Sequence, residues 1–279
     1  MKLTTFIQYC MPQHLVSRLA GKLLDSQNVS IKNRLIRKFI KHYNVNMDEV
    51  ANPHLESYPS FNAFFTRTLK KGARPIVGLP EAVASPADGT IAQIGIAKDE
   101  ELIQAKGHLF SLQDLLAGDA TLAQTFNNGH YATIYLGPSD YHRVHMPMTG
   151  TLKQMIHVPG KLFSVNTDTV NDVSNLFARN ERVICIFDTK VGPMAVIMVG
   201  AIFVGSMAVA WDGIVTPNQN KTITTKIYDK AIHLARGDEM GYFLTGSTVI
   251  TLFANNRMKW QDHLKNNMTI KMGQGIGTF

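Results

Sequence analysis

Three residues of this 279-residue chain are of the types that form a catalytic triad, although they lie far apart in the sequence. Ser247 directly follows Gly246, His145 ends a Tyr-His-Arg-Val-His segment, and Asp88 lies in a Ser-Pro-Ala-Asp-Gly segment. In a triad the serine is the nucleophile, the histidine is its general base and the aspartate orients the histidine. Because glycine has no side chain, the Gly246 carbonyl is sterically open to Ser247. We therefore predict a serine whose first substrate is its own backbone.

The predicted chemistry is cleavage of the chain at Gly246-Ser247. Attack of the Ser247 hydroxyl on the Gly246 carbonyl would convert the peptide bond into an ester. Elimination would then break the chain and leave a dehydroalanine, whose hydrolysis gives a pyruvoyl group at the new N-terminus. A Gly-Ser pair is common, so the pair alone does not establish self-cleavage. A triad serine hydrolase would use the same residues, although the Gly-x-Ser-x-Gly elbow of the common hydrolase fold is absent around Ser247.

The elements that must position these residues are mainly short β-strands. Apolar runs separated by Gly and Pro predict strands over 90–96, 131–136, 182–187, 194–199, 202–209 and 248–253. Helical turns are predicted over 112–116, with Ser111 as the N-cap, and over 170–177. The sequence thus predicts an α+β protein with a helical region over 1–78 and a mainly antiparallel β core over 79–279.

The helical region holds all of the excess positive charge of the chain, whose formal net charge is +7. Residues 1–75 contain 12 Lys/Arg and 4 Asp/Glu, whereas the rest of the chain contains 16 and 17. Apolar residues recur at helical spacing over 15–24 and over 31–43, where Ser30 is the expected N-cap, and Phe61, Phe64 and Phe65 follow. Basic amphipathic helices bind anionic membrane surfaces, and no nucleic-acid motif accompanies the charge. We therefore expect a peripheral membrane contact and no nucleic-acid partner.

One uncharged segment, residues 191–211, is long enough to cross a bilayer. Its glycines, its proline and its many Val and Ile residues are also typical of two buried strands with a turn near Gly200. A single crossing would separate Asp88 and His145 from Ser247 and destroy the triad, so we predict buried sheet. The two cysteines, Cys10 and Cys185, are too few for a disulfide framework or a zinc site, which favours a reduced cytosolic setting.

Seven segments along nearly the whole chain resemble, in the same order, the bacterial phosphatidylserine decarboxylase proenzymes. They are residues 85–90, 104–108, 140–147, 162–166, 175–182, 239–241 and 246–250. The resemblance implies self-cleavage at Gly246-Ser247 into a β chain of residues 1–246 and an α chain of residues 247–279. It implies that Ser247 becomes a pyruvoyl group, that Asp88 and His145 assist the cleavage, and that no metal takes part. It also implies peripheral binding to the cytoplasmic side of the cell membrane.

The reaction that the resemblance implies is conversion of phosphatidylserine to phosphatidylethanolamine and CO2. The pyruvoyl carbonyl would form a Schiff base with the substrate amine and accept the electrons left when CO2 departs. The carbon must then be protonated, and His142 is the candidate acid because it shares a motif with His145 and histidine titrates near neutrality. An extended backbone over 141–146 would direct His142 and His145 to opposite sides, so both serve one site only if the motif turns.

Thr245 stands where the family motif has Leu, but the attacking Ser and the attacked Gly are intact, so cleavage is expected to proceed. The product would be a heterodimer of the chain's own β and α parts, with further dimerisation left open. Three other functions stay open: a triad serine hydrolase acting on lipids, a non-enzymatic lipid-binding relative, and a pyruvoyl decarboxylase of a soluble amino acid. The basic N-terminus disfavours the last. Weaker candidates for headgroup or phosphate contacts are Lys106, His108, His157, Ser164, Asn166, Arg179 and Arg182.

Overall fold

The computed structural model describes residues 2–105, 108–202, 206–217, 221–244, 247–254 and 258–279. Thr245, Gly246 and Lys106 lie outside the described residues. The helices are α1 Leu3–Cys10, α2 Gln13–Leu24, α3 Val29–Tyr43, α4 Phe61–Phe65, α5 Leu112–Leu115, α6 Ala120–Phe126, α7 Thr167–Asp172 and α8 Leu176–Arg179, with a 3-10 turn at Leu55–Ser57. None of the helices in these ranges has the length and apolar character needed to cross a membrane.

The strands before residue 200 are β1 Ala82–Ala84, β2 Gly89–Ile96, β3 Glu101–Ala105, β4 His108–Ser111, β5 His130–Leu136, β6 Arg143–His145, β7 Gly150–Val158, β8 Arg182–Thr189 and β9 Gly192–Val199. Those after it are β10 Met207–Val209, β11 Gly213–Ile214, β12 Thr224–Lys226, β13 Ile232–Leu234, β14 Glu239–Phe243, β15 Ser247–Phe253, β16 Lys259–Trp260, β17 Thr269–Ile270 and β18 Gly275–Thr278. These strands pair antiparallel, which confirms the predicted α+β class with an antiparallel core.

The largest sheet has nine strands in the described ranges, in the order β12-β7-β8-β9-β15-β5-β2-β17, with β13 also paired to β7. A four-stranded sheet has the order β11-β10-β14-β6, a three-stranded sheet the order β1-β18-β16, and β3 and β4 form a hairpin. Both faces of the nine-stranded sheet are covered. Along β15, Ile250 packs in the cluster that includes α5 to α8, whereas Val249 packs in the cluster that includes β6, β10 and β14.

Most of the strand predictions are confirmed, and the local errors have physical causes. The predicted strand over 202–209 is wrong in extent, since β10 covers only Met207–Val209 and residues 203–205 are not described. The single helical turn over 170–177 is instead α7 and α8, separated at Asn175, whose φ of 55° is left-handed and cannot continue a helix. Ser111 caps α5 as predicted. The segment 191–211 contains the buried strands β9 and β10, as expected.

The helix α3 packs most of its apolar face against the protein, with Leu35, Phe39 and Ile40 partly buried, and it also buries Lys32 and Asn33. Ile36 is buried with Phe61, Phe64 and Phe65 of α4. These three aromatic residues are therefore core residues and do not extend a membrane-facing surface. The predicted N-cap Ser30 is wrong, because the N-cap lies two residues earlier, at Asn28, whose side chain accepts from the backbone N–H groups of Ser30 and Ile31.

The helices α1 and α2 have the opposite orientation. Their buried residues are polar, namely Thr5, Gln8, Gln13 and Ser17, and they face residues 160–172. The Gln8 and Gln13 amide oxygens accept from the backbone N–H groups of Ser164 (2.8 Å) and Leu162 (2.7 Å). The exposed large apolar residues of these helices are Leu3, Phe6, Ile7, Tyr9, Leu15, Leu19 and Leu23, and Arg18 and Lys22 are exposed as well.

Candidate active site

The register of the central strands places Asp88 and Ser247 at the same end of the nine-stranded sheet. Thr248 pairs with Tyr135 of β5, and Tyr135 pairs on its other side with Thr90. Neighbouring strands are about 4.8 Å apart, so β2 and β15 are separated by about 10 Å here. Gly89 allows β2 to begin beside β5, because a Cβ at this position would lie 2.2 Å from the Tyr135 carbonyl oxygen.

His142 and His145 lie at this same end, just before and within strand β6 of the four-stranded sheet. The His145 backbone N–H donates to the Pro86 carbonyl oxygen at 2.8 Å, and the His142 carbonyl oxygen accepts from Phe243 N–H at 3.0 Å. Val249, two residues after Ser247, packs in the same cluster as Val144 of β6, so Ser247 is on the face of the sheet that carries β6. Asp88, His142, His145 and Ser247 therefore belong to one end of the fold.

The Ser247 side chain is fully buried, and its Oγ has no hydrogen-bond partner among the described residues. Burying a hydroxyl without a partner costs free energy, so such a group calls for a functional explanation. The hydroxyl is not held by another group in the described part of the chain, and β15 fixes the residue at the sheet end.

The His145 ring is held as a neutral base. Its Nδ1 lies 2.8 Å from the Gly237 carbonyl oxygen, which can only accept, so Nδ1 carries the hydrogen. Its Nε2 then has the lone pair and accepts from the Tyr141 hydroxyl at 3.2 Å. Burial lowers the pKa of His145, and it raises the pKa of Tyr141 to about 12, so the phenol stays protonated. The structure thus gives His145 the protonation state that a general base needs at neutral pH.

The His142 ring lies in the loop before β6, because the strand begins only at Arg143. Its Nδ1 donates to the Asp140 carbonyl oxygen at 2.9 Å, and its ring centroid lies 4.2 Å from that of Phe65. Nε2 is buried and has no partner among the described residues. Burial lowers the pKa of His142 to about 3, so the expectation that it titrates near neutrality is wrong. His142 must take up a proton before it can donate one.

The Asp88 carboxylate is buried and does not hydrogen-bond to His145. Arg74 donates to it from Nε (2.8 and 3.1 Å) and Nη2 (2.5 Å), the Met272 backbone N–H donates at 2.8 Å, and Lys271 Nζ lies 3.4 Å away. The Asp88 charge still acts on both histidines through space and opposes part of the effect of burial on their pKa values. Sequence reasoning missed Arg74, Tyr141, Gly237 and Lys271, and only Tyr141 lies in a motif that was singled out.

The weaker candidates have structural contacts. His157 Nε2 lies 2.9 Å from Glu181 Oε1 in a buried pair, and the Asn166 side chain caps α7. Arg182 is buried and donates to the backbone carbonyl oxygens of four residues, Asp114, Leu115, Ala178 and Asn180. Arg179 stacks against Tyr9 and Phe163, the Ser164 backbone N–H bonds to Gln8, and His108 is exposed on β4.

Comparison with known proteins shows the family of this chain. A family model described as phosphatidylserine decarboxylase matches residues 61–278. The chain belongs to this family. The match includes α4, Arg74 and every strand of the phosphatidylserine decarboxylase core, and a second family model, described only as PSD, matches residues 3–44.

Relatives in the phosphatidylserine decarboxylase family match from end to end. The phosphatidylserine decarboxylase proenzyme of Marinobacter nauticus is 52% identical over 279 residues, which cover 99% of this chain and 97% of the relative. The proenzyme of Vibrio parahaemolyticus is 50% identical (98% and 97% covered), and that of Bordetella pertussis is 51% identical (96% and 92%). The helical N-terminal region is thus shared with these proteins and is not an addition to the core.

Proposed function

We propose that this chain is a self-cleaving, pyruvoyl-dependent phosphatidylserine decarboxylase, a carboxy-lyase that forms phosphatidylethanolamine and CO2. The observation that supports it most directly is the buried, unpaired Ser247 hydroxyl at the sheet end shared with His142 and His145, in a chain of this family. Cleavage at Gly246-Ser247 would leave a pyruvoyl group on residue 247. That group supplies an electron sink for the loss of CO2 from an amino acid headgroup.

Self-cleavage uses the groups as they are held in the proenzyme. The Ser247 Oγ attacks the Gly246 carbonyl carbon while His145 Nε2, whose lone pair otherwise accepts from the Tyr141 hydroxyl, takes the Ser247 hydroxyl proton. The Gly237 carbonyl oxygen keeps the ring in the required tautomer. The nearby Asp88 carboxylate favours the positive charge that His145 gains in this step.

His142 is suited to move a proton during decarboxylation. His142 Nε2 has a lone pair and no partner among the described residues, so a group bound beside it can exchange a proton with this atom. Because burial lowers its pKa to about 3, protonated His142 is a strong acid, and it can deliver the proton to the carbon that has lost CO2.

The two chains made by cleavage should stay associated. The α chain, residues 247–279, contains β15, which lies between β9 and β5 and is buried along its whole length. It also contains β17 and β18, which pair with β2 and β1 of the β chain. Separation would break four strand pairings, β15 with β9 and β5, β17 with β2 and β18 with β1, so a stable heterodimer is the expected product.

The exposed apolar face of α1 and α2 is the proposed contact with an anionic membrane on the cytoplasmic side. Arg18 and Lys22 flank this face. The two helices pack on residues 160–172. The start of β8 lies close to this segment, and there Arg182 pairs with Val199 of β9. Val199 pairs on its other side with Thr248, the residue after Ser247. The membrane face therefore lies at the sheet end that carries Ser247, which suits a substrate held in the bilayer.

The deciding experiment is the denatured mass of the purified protein, with Ser247→Ala as the matched variant. The wild type should give two species, the smaller matching residues 247–279 less one ammonia, and should release CO2 from phosphatidylserine vesicles. Ser247→Ala should give one full-length mass and no activity. A single full-length wild-type mass would reject the proposal. Reaction of that species with a serine-directed phosphonate would then indicate a hydrolase, and vesicle binding alone a lipid-binding relative.

A further inference from the structure

The position of Asp88 is fixed by donors from two distant segments. Arg74 contributes a two-nitrogen fork from the end of the helical region, and Met272 and Lys271 donate from the segment that becomes the α chain. The Asp88 and Arg74 side chains are only 1% and 7% exposed. Charge-assisted, two-nitrogen pairs of this kind are roughly twice as strong as hydrogen bonds between neutral groups. The hydrogen bonds of Asp88 therefore come from Arg74, Lys271 and Met272, and none comes from His145.

Arg74 is itself held in place by the helical region. Its Nη2 also donates to Glu49 Oε2 at 2.8 Å, and its Nη1 donates to the Ala73 carbonyl oxygen. Glu49 lies in a short antiparallel contact in which the Lys70 N–H donates to the Glu49 carbonyl oxygen and Val50 bridges Leu69. Hydrogen bonds to Asp88 and Glu49 raise the pKa of Arg74 even though burial opposes this, so the guanidinium stays charged.

We propose that Arg74 is a positioning residue for self-cleavage, which acts by holding the Asp88 carboxylate in place near His145. The inference rests on the proposed function. His145 gains a positive charge when it takes the Ser247 proton, and a fixed carboxylate nearby stabilises that charge. Without Arg74, the buried Asp88 carboxylate loses its main partner and is no longer held in this position. Lys271 cannot replace Arg74, because its Nζ lies 3.4 Å away on a half-exposed side chain and offers one point charge.

The test measures how fast newly made chains release the 247–279 fragment, in wild type, Arg74→Ala, Arg74→Lys and the matched control Arg37→Ala. Arg37 lies in the same helical region and pairs with Glu56 at the surface, so its loss should leave the rate unchanged. Arg74→Ala should cleave roughly 10- to 100-fold more slowly, because it weakens general-base catalysis by His145. Added guanidinium should restore part of the rate. Arg74→Lys should fall between wild type and Arg74→Ala.

The outcomes separate the inference from the proposed function. A wild type that yields no fragment rejects the proposed function itself. A wild type that cleaves, with Arg74→Ala cleaving at the same rate, overturns only the role of Arg74. If Arg74→Ala does not fold, Arg74→Lys decides: a wild-type unfolding midpoint with slow cleavage supports the role, and a wild-type rate overturns it. Slow cleavage of Arg74→Ala that guanidinium does not change would indicate general damage to the fold and also count against the inference.

Discussion

The helix pairs α1–α2 and α3–α4 each contain one basic amphipathic helix, α2 and α3, yet the two pairs place their apolar residues differently against the protein. The pair α1–α2 buries Gln8 and Gln13 and exposes leucines, whereas α3–α4 buries Ile36 and Phe64. The difference comes from what each pair meets. The buried backbone N–H groups of Leu162 and Ser164 donate to the glutamines of α1 and α2, whereas α3 packs against three aromatic side chains of α4. An apolar stripe therefore does not by itself say which face of a helix is buried.

The sharpest test of this contrast compares two phenylalanines. Phe64 of α4 is fully buried, so Phe64→Ala should lower the free energy of unfolding by about 3–5 kcal/mol through lost burial and the cavity left behind. Phe6 of α1 is 52% exposed, and Phe6→Ala should change it by less than about 0.5 kcal/mol. Urea unfolding of both variants in a Ser247→Ala background, where every chain is uncleaved, measures the two effects. Equal losses would mean that α1 buries its apolar face after all.

The second test asks what the exposed face of α2 contacts. Replacing Leu15, Leu19 and Leu23 by serine removes three exposed apolar side chains. If each is partly buried in lipid and contributes about 1 kcal/mol, binding to vesicles that contain anionic lipid should weaken by about 100-fold. Cosedimentation with such vesicles measures the loss, and the unfolding midpoint should stay unchanged. Undiminished vesicle binding would assign the membrane contact to another surface.

The third test measures how the free energy of unfolding depends on pH through His142, whose ring is buried in contact with Phe65 of α4. The folded pKa of about 3 lies below the unfolded value of about 6.5, so the unfolded chain takes up the proton first. The contribution of the neutral, buried His142 ring to the free energy of unfolding is therefore fully present above about pH 6.5, and it is lost as pH falls toward 3. At about pH 4.5 the loss should be roughly 2–3 kcal/mol. His142→Gln in the Ser247→Ala background should remove this part of the pH dependence, whereas Val144→Ala, a buried neighbour, should not.

The comparison also shows which parts of the site could be predicted from sequence. The residues Asp88, His145 and Ser247 could be chosen because each lies in a short, recognisable segment, and the central strands because their apolar runs are long. Arg74 could not, because its partners lie 14 residues (Asp88) and 25 residues (Glu49) away and no local pattern marks it. The protonation state of His142 could not either, because it depends on burial under Phe65, which only the folded chain creates.

The smallest predicted effect concerns the polar side of α2, and it decides whether the inverted orientation depends on hydrogen bonds. The buried Gln13 side chain accepts from Leu162 N–H at 2.7 Å and donates to the Gln8 carbonyl oxygen at 2.9 Å, which joins α2 to α1 and to the core. Gln13→Ala leaves a buried N–H without a partner, which costs about 1–2 kcal/mol. Because this substitution weakens the contact of α1 and α2 with the core, amide exchange over residues 3–24 should become about tenfold faster, while exchange in β15 stays unchanged.

Leu15→Ala, at an exposed position of the same helix, is the control and should leave both rates as in wild type. Unchanged exchange in Gln13→Ala would mean that the two helices stay on the core without this bond, and the contrast with α3–α4 would then need another cause.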